Sequence, residues 1–299
     1  MKRIQDNYTL GAVLAVVGMV AGLLTLYFLA DTYNTVISTH FNAGEWEESN
    51  TVRFVYALLG WLGIAAGALS GSVLYGFLTK RSWAWFWGAV AATILLLAGF
   101  FPMIPAADSG LPVPTMVVFG LGGIMWFGML FIGGVNNKII ALTFVAGLAY
   151  VLTFIDGVAP ISKFQTTYQV PGGPLQESEA FWNGMYVMTQ QVNWWGAAAW
   201  ALFIFGALRA KSWTVPVGIF AALMSMIGGY PLGINNVLEV NRFSMFLPAP
   251  IMSTLLLIII LLPGTRRLIV GWRDQENLDQ VTANVMAPDL PPVKENQPV

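Results

Sequence analysis

Cysteine is absent from this sequence, and histidine occurs only once, at His40. Without cysteine the chain has no disulfide bonds, no thiolate metal ligands and no thiol chemistry. A single histidine excludes sites that need several, such as histidine-ligated zinc centres and haem held by two axial histidines. Charge is scarce as well, since charged residues make up 10% of the chain against about 25% in a soluble domain.

The sequence has long apolar stretches in place of charge. Hydrophobic residues make up 57% of the 299 positions, and the mean hydropathy is +0.67. A helix needs about 20 mostly apolar residues to cross a bilayer. Eight such stretches are predicted to span the membrane, near 10–30, 53–78, 83–104, 115–135, 138–156, 193–209, 214–234 and 249–270. We therefore expect an all-α polytopic membrane protein with eight transmembrane helices.

The basic residues indicate how these spans are oriented. Most of them lie at the termini or in the even-numbered connections: Lys2, Arg3, Lys80, Arg81, Lys138, Arg209, Lys211, Arg266, Arg267, Arg273 and Lys294. Because cytoplasmic loops of membrane proteins are enriched in lysine and arginine, both termini are predicted to be cytoplasmic. The outer face collects carboxylates instead, so nucleic acid is not expected as a partner. We expect a prokaryotic plasma membrane.

One stretch of the sequence occurs twice. Residues 76–99 read GFLTKRSWAWFWGAVAATILLLAG, and residues 206–229 read GALRAKSWTVPVGIFAALMSMIGG. Each copy contains the end of one apolar helix, a short basic turn and the next apolar helix. The duplication predicts two parallel four-helix repeats, residues 1–135 and 136–273, with a long outer loop at 157–192. The polar stretch 274–299 is predicted to be a disordered cytoplasmic tail.

Ionisable residues are missing from the middle of every predicted span. Proton relays, ion pathways and retinal counter-ions depend on such residues, so a proton-coupled carrier, an ion pump and a retinal protein are disfavoured. Serine hydrolysis would need a base beside the serine, and the only histidine is His40. Acid–base chemistry by Asp108, Asp156 or Glu239 at the outer face stays open. The sequence favours a protein that is not an enzyme and predicts no catalytic residue, metal or cofactor.

The first outer connection, residues 31–51, combines helical spacing with acidic residues. Tyr33, Val36 and Phe41 recur at roughly helical intervals, which predicts a short helix on the membrane surface followed by an acidic turn. His40 lies within this segment. A solvated side chain is the simplest interpretation of His40, and a ligand or proton-switch role is the alternative.

Three glycines in the second span, Gly63, Gly67 and Gly71, are spaced four residues apart. Small residues at this spacing let helix backbones approach closely in lipid. They are therefore predicted to be helix-packing positions, and a smooth path for a substrate is the alternative.

Polar side chains gather at the outer ends of several spans. They include a set of possible ligand-binding residues: Asp156, Gln190, Gln191, Asn193, Tyr230, Asn235, Asn236 and Glu239. These residues either solvate loop ends and freed backbone groups near prolines, or line one outward-facing pocket between the repeats. Such a pocket would suit a small neutral or weakly cationic ligand.

Two classes of function are consistent with these patterns. The first is a structural or accessory subunit of a membrane assembly, with lipids, other membrane subunits or a second copy of the chain as partners. The alternative is a channel or facilitator for a small uncharged or apolar molecule.

Overall fold

The computed structural model describes residues 7–158, 188, 191–240 and 243–273, and for residues 47, 235, 236 and 238–240 it describes the backbone alone. About 85% of the described residues are α-helical, and none of them lies in a strand. The helices are α1 (Tyr8–Asn42), α2 (Trp46–Leu78), α3 (Ala84–Phe100), α4 (Met103–Asp108), α5 (Met116–Ile132), α6 (Asn137–Val158), α7 (Asn193–Leu208), α8 (Thr214–Val240), α9 (Pro248–Leu261) and α10 (Pro263–Arg273).

The helices pack as two neighbouring bundles. The first bundle contains α1, α2, α3 and α5, and the second contains α6, α7, α8 and α9. Aromatic pairs join the bundles, with Phe86 against Phe205 and Phe101 against Phe154 at centroid distances of 4.8 and 5.7 Å. We call the end where α2 joins α3 and α7 joins α8 the basic end. The opposite end, where α1 joins α2, is the acidic end.

The outside of the bundles is apolar. Large hydrophobic side chains face outward, including Leu23 (69% exposed), Trp61 (67%) and Trp195 (68%). Within the part of the chain that the structure describes, five helices are long and apolar enough to cross a membrane, or six if the bent pair α9 and α10 counts as one span. The apolar helices α5 and α7 are shorter, with 17 and 16 residues. The protein is a helical integral membrane protein.

The first connection differs from the prediction of a separate surface helix. α1 continues without a break to Asn42, because the periodic apolar residues Val36 and Ile37 are buried against α2 and its neighbours. α1 has 35 residues and α2 has 33. At 1.5 Å per residue each is about 50 Å long, against about 30 Å of hydrocarbon. Since α2 ends at the basic turn, the two helices project as a hairpin at the acidic end.

Two later helices also differ from the predicted boundaries. α8 continues through Pro231 to Val240, although proline removes the N–H that would reach the carbonyl of Ile227. The eighth predicted span is not one straight helix, since α9 and α10 are bent by 77° at Leu262. Most of the predicted outer loop and the predicted tail lie outside the described residues.

Glycines set the spacing of α1 and α2. A Cβ atom placed on Gly67 would lie 3.3 Å from Cα of Gly22, and one on Gly63 would lie 2.5 Å from Thr25. At Gly71 nothing lies within 4 Å. Gly63 and Gly67 therefore face α1 at close range, whereas Gly71 has open space beside it.

Five helices end in the same hydrogen-bonded turn, in which one residue has a positive φ angle. Glycine takes that position after α1, α4 and α5, but Lys80 (φ 56°) and Ala210 (φ 52°) take it after α2 and α7. In both of these turns the next residue, Arg81 or Lys211, donates its N–H to the glycine carbonyl five residues earlier. Lys80 and Ala210 therefore have a left-handed backbone conformation that favours glycine.

Ala210→Gly is expected to raise the free energy of unfolding by about 1 kcal/mol, because it relieves a left-handed conformation that strains a residue with a Cβ atom. Gly134→Ala is the matched opposite, since Gly134 takes the same position after α5 at φ 62°, and it should lower stability by a similar amount. Thermal unfolding in detergent measures both. A change in stability of the same sign for both substitutions would contradict this account of the turns.

Candidate functional site

At the acidic end of the second bundle, two polar side chains are buried without a hydrogen-bond partner among the described residues. Asp156, near the end of α6, is 1% exposed, and Asn193, the first residue of α7, is 0% exposed. Neither carboxylate oxygen of Asp156 and neither polar atom of the Asn193 side chain has a hydrogen-bond partner among the described residues. Buried polar groups in proteins are nearly always hydrogen-bonded, so this pair needs a specific explanation.

Both side chains lie against the same glycine step of α8. A Cβ atom on Gly229 would lie 2.9 Å from Oδ2 of Asp156, and one on Gly228 would lie 2.6–2.7 Å from the amide of Asn193. Any larger residue would displace these groups. Two adjacent glycines therefore let the backbone of α8 approach the carboxylate and the amide together.

A connected chain of hydroxyl groups lies one helical turn deeper. Oγ of Ser225 is 2.9 Å from Oγ1 of Thr153, and it accepts a hydrogen bond of 2.9 Å from Ser253. Ser253 in turn accepts from Nε1 of Trp200 at 3.3 Å. These four side chains come from α6, α7, α8 and α9, and every one has a partner. The unsatisfied groups of Asp156 and Asn193 therefore lie nearer the acidic end than a set of fully hydrogen-bonded polar side chains.

The free-energy cost of burying Asp156 and Asn193 without hydrogen bonds favours a ligand-binding role for them. An unpartnered buried polar group costs roughly 1–3 kcal/mol, and an unpaired buried charge costs considerably more. A ligand that donates a hydrogen bond to Asp156, and that both donates to and accepts from the amide of Asn193, would offset that cost. The carboxylate and the amide together offer hydrogen-bond acceptors and a donor of the kind that a small polar molecule needs.

The other predicted pocket residues do not all join this pair. Oε1 of Gln191 accepts from Nε1 of Trp194 at 3.1 Å, and the hydroxyl of Tyr230 is 2.8 Å from Oγ1 of Thr254. Each of these two therefore has a local partner. The remaining predicted residues lie outside the described side chains: Gln190, Asn235, Asn236 and Glu239.

Sequence reasoning missed Thr153, Trp200 and Ser253. Single hydroxyl or indole groups in apolar helices are common, and nothing in the spacing of these three residues indicates that they meet around Ser225. Asp156 and Asn193 were predicted as possible ligand-binding residues because both are polar residues at the ends of apolar stretches.

The interpretation of His40 as a solvated side chain was wrong. His40 is 4% exposed, because the α1–α2 hairpin and the segment after α4 enclose it. Potential metal ligands of His40, Glu45 and Glu48 lie within 4.8 Å of one another. Both carboxylates are solvent-exposed, and exposed acidic groups of this kind are common without an ion.

Comparison with protein-family models, with curated proteins and with solved structures finds no match for this chain.

Asp156→Leu and Asn193→Leu are each expected to raise the free energy of unfolding by about 1–3 kcal/mol, because an apolar group of similar shape replaces an unpartnered buried polar group. Ser225→Ala is the control, and it should lower stability because Thr153 and Ser253 lose their shared partner. Thermal unfolding of the purified protein in detergent compares the three variants. Destabilisation by both leucine substitutions would show that the polar pair supports the fold.

Proposed function

We propose that the chain is a duplicated bundle of eight membrane-crossing segments, four in each bundle. The turns after α2 and α7 have the same hydrogen bonds at positions 130 residues apart. Both bundles also share one order of neighbours, in which each helix packs on the next and the first also contacts the fourth. Gly99 lies against Phe119 of α5, and Gly229 lies against Pro250 of α9.

The polar pair has no counterpart in the first bundle. At an offset of 130 residues, Leu95 corresponds to Ser225, Ala98 to Gly228 and Gly63 to Asn193. Leu95 and Ala98 are fully buried, so the first bundle packs at this depth with apolar residues alone. Packing of the duplicated architecture does not require the polar residues of the second bundle, which supports a separate role for them.

We propose that the protein is a facilitator for a small polar molecule, which it binds at the acidic end of the second bundle. The observation that carries this proposal is the pair of buried, unpartnered groups of Asp156 and Asn193 on one glycine step. The hydroxyl chain through Ser225 continues the polar path toward the middle of the bundle. With the acidic end facing outward, the ligand would enter from outside.

The chemistry of the pair limits the ligand. A carboxylate accepts hydrogen bonds only, and the amide of Asn193 both donates and accepts. Because Asp156 and Asn193 are at most 1% exposed, only a small ligand could reach them. An amine, an amide or a small polyol meets both conditions, and anions are disfavoured because they would repel the carboxylate.

Proteoliposomes containing the protein are expected to take up methylamine, urea or glycerol faster than empty liposomes. Asp156→Asn keeps the size of the side chain but changes its hydrogen bonding, and Asn193→Leu removes the amide. Each should lower the rate of uptake by roughly 10-fold or more, since losing one buried polar contact costs about 1–3 kcal/mol.

Thr93→Ala is the matched control for uptake, because Thr93 is a hydroxyl residue in the first bundle that bonds only to the carbonyl of Ala89. Its rate should equal that of the unaltered protein. Uptake no faster than through empty liposomes for all three solutes would exclude the facilitator role.

A second candidate function is an accessory subunit of a membrane assembly. The projecting hairpin of α1 and α2 supports it, because Phe41 and Phe54 on the projecting part are 62% and 61% exposed. Apolar side chains exposed beyond the hydrocarbon layer are suited to protein contacts.

Gentle extraction from the native membrane followed by mass determination tests this second role. An accessory subunit should travel with other membrane subunits, and Phe41→Ser together with Phe54→Ser should reduce that association. Ile64→Ser changes an exposed residue on the membrane-embedded part of α2 and is the control. Recovery of a monomer or a homo-oligomer alone would contradict the subunit role.

A further inference from the structure

His40 joins two other side chains at the acidic end of the first bundle. Its Nδ1 atom is 2.8 Å from Oε2 of Glu45, and its Nε2 atom is 3.1 Å from Oγ of Ser109. The imidazole is buried, while Glu45 is exposed and Ser109 is half-buried. The three residues therefore form a carboxylate–imidazole–hydroxyl row, although 69 residues separate His40 from Ser109.

Two helix-ending turns build this row. After α1, Gly44 at φ 84° reverses the chain, and the N–H of Glu45 donates to the carbonyl of His40 at 3.0 Å. This turn folds the Glu45 carboxylate back over the imidazole. Ser109 follows α4 directly, and Gly110 at φ 67° makes the next turn, with open space beside it. The hydroxyl is therefore held at a helix end with room on one side.

The hydrogen-bonding partners determine where the protons lie. A carboxylate can only accept, so Nδ1 of neutral His40 carries the proton and donates it to Glu45. Nε2 then has a free lone pair, and the Ser109 hydroxyl donates to it. Oε2 of Glu48, 3.7 Å from Nδ1, adds a second negative group on the same side. The Ser109 hydroxyl also lies 2.9 Å from the carbonyl oxygen of Pro105, to which it can donate instead.

We propose that Ser109, His40 and Glu45 form a hydrolytic site for carboxylic esters at the acidic end of the first bundle. A serine, a base within hydrogen-bond reach and a group that orients the base are the parts that this chemistry needs, and they are recognised by geometry and not by chain order. Ser109 is the nucleophile, His40 is the general base and Glu45 is a positioning residue. This activity is independent of the polar pair in the second bundle.

Each step of the reaction balances. Oγ of Ser109 attacks the ester carbonyl carbon while its proton passes to Nε2 of His40. The bond to the leaving oxygen then breaks, and that oxygen takes the proton from His40. Water attacks the acyl-serine, again with His40 as the base, and releases the carboxylic acid and the free hydroxyl. No oxidant, reductant or metal is required.

An apolar groove on the same hairpin indicates the kind of ester. The groove has a volume of about 180 Å³ and is lined by residues that include Leu26, Leu29, Tyr33 and Tyr56. His40 lies seven positions after Tyr33, on the same face of α1 and about 10 Å further along it. Tyr56 also donates a hydrogen bond to the carbonyl of Pro102, just before α4. An ester with a long acyl chain can lie in the groove with its carbonyl group toward Ser109.

A fluorophosphonate probe applied to the full-length protein in detergent tests the nucleophile. The probe should label Ser109, as identified by peptide mass spectrometry, and Ser109→Ala should abolish labelling. His40→Gln should slow labelling by at least about 100-fold, the usual contribution of a general base. Glu45→Gln should slow it less, and Glu45→Asp should restore most of the rate. Ser38→Ala, which changes an exposed serine on α1, should have no effect.

Hydrolysis of p-nitrophenyl butyrate and laurate tests the substrate class. The laurate ester should have the lower KM, and Ala57→Trp, which fills the groove that Ala57 lines, should raise the KM for laurate more than the KM for butyrate. Thermal unfolding verifies that each variant is folded. A folded, unaltered protein that is labelled no more than Ser109→Ala, or that is labelled at another serine, would overturn the proposal. In that case the hydrogen bonds of His40 only hold α4 against the hairpin.

Discussion

Close approach of helix backbones at glycine is the contact on which the rest of this structure depends. In lipid, burying an apolar side chain gains little over leaving it in contact with acyl tails, so helices associate through close packing and polar contacts. Gly22 and Gly67 bring α1 and α2 together, and Gly228 and Gly229 bring α8 onto Asp156 and Asn193. The same kind of contact that holds the bundles together therefore also encloses the polar pair.

Both candidate sites lie at the acidic end, where the ends of helices bring polar side chains close to one another. A helix in lipid must satisfy its own backbone, whereas its last turn can reverse the chain and direct side chains at one another. His40 and Ser109 meet through two such turns, whereas Asp156 lies near the end of α6 and Asn193 is the first residue of α7. The basic end has equally sharp turns, but they present tryptophans and cations, which suit the lipid headgroup level.

Much of the helical architecture was predictable from single segments. Long apolar stretches separated by charged turns place both ends of α3, α5, α6 and α7 to within a few residues, because the bilayer requires about 20 apolar residues from each span. The helices α1, α2 and α8 extend further than predicted. The segment after Asp31 was misjudged, since its helical periodicity fits a surface helix as well as a continuation of α1. Contact with α2 decides between them, and the sequence of neither segment alone predicts that contact. Span count and duplication stay predictions.

For the candidate sites, the sequence by itself determined which reactive groups are available: one histidine, no cysteine, and carboxylates and amides that lie outside the middle of every predicted span. Only the tertiary structure decided which of these groups meet. Asp156 and Asn193 both lie against α8 because it presents two adjacent glycines to them, and His40 reaches Ser109 because the hairpin packs against the segment after α4. Burial and pairing are properties of several segments at once, so no reading of one segment could supply them.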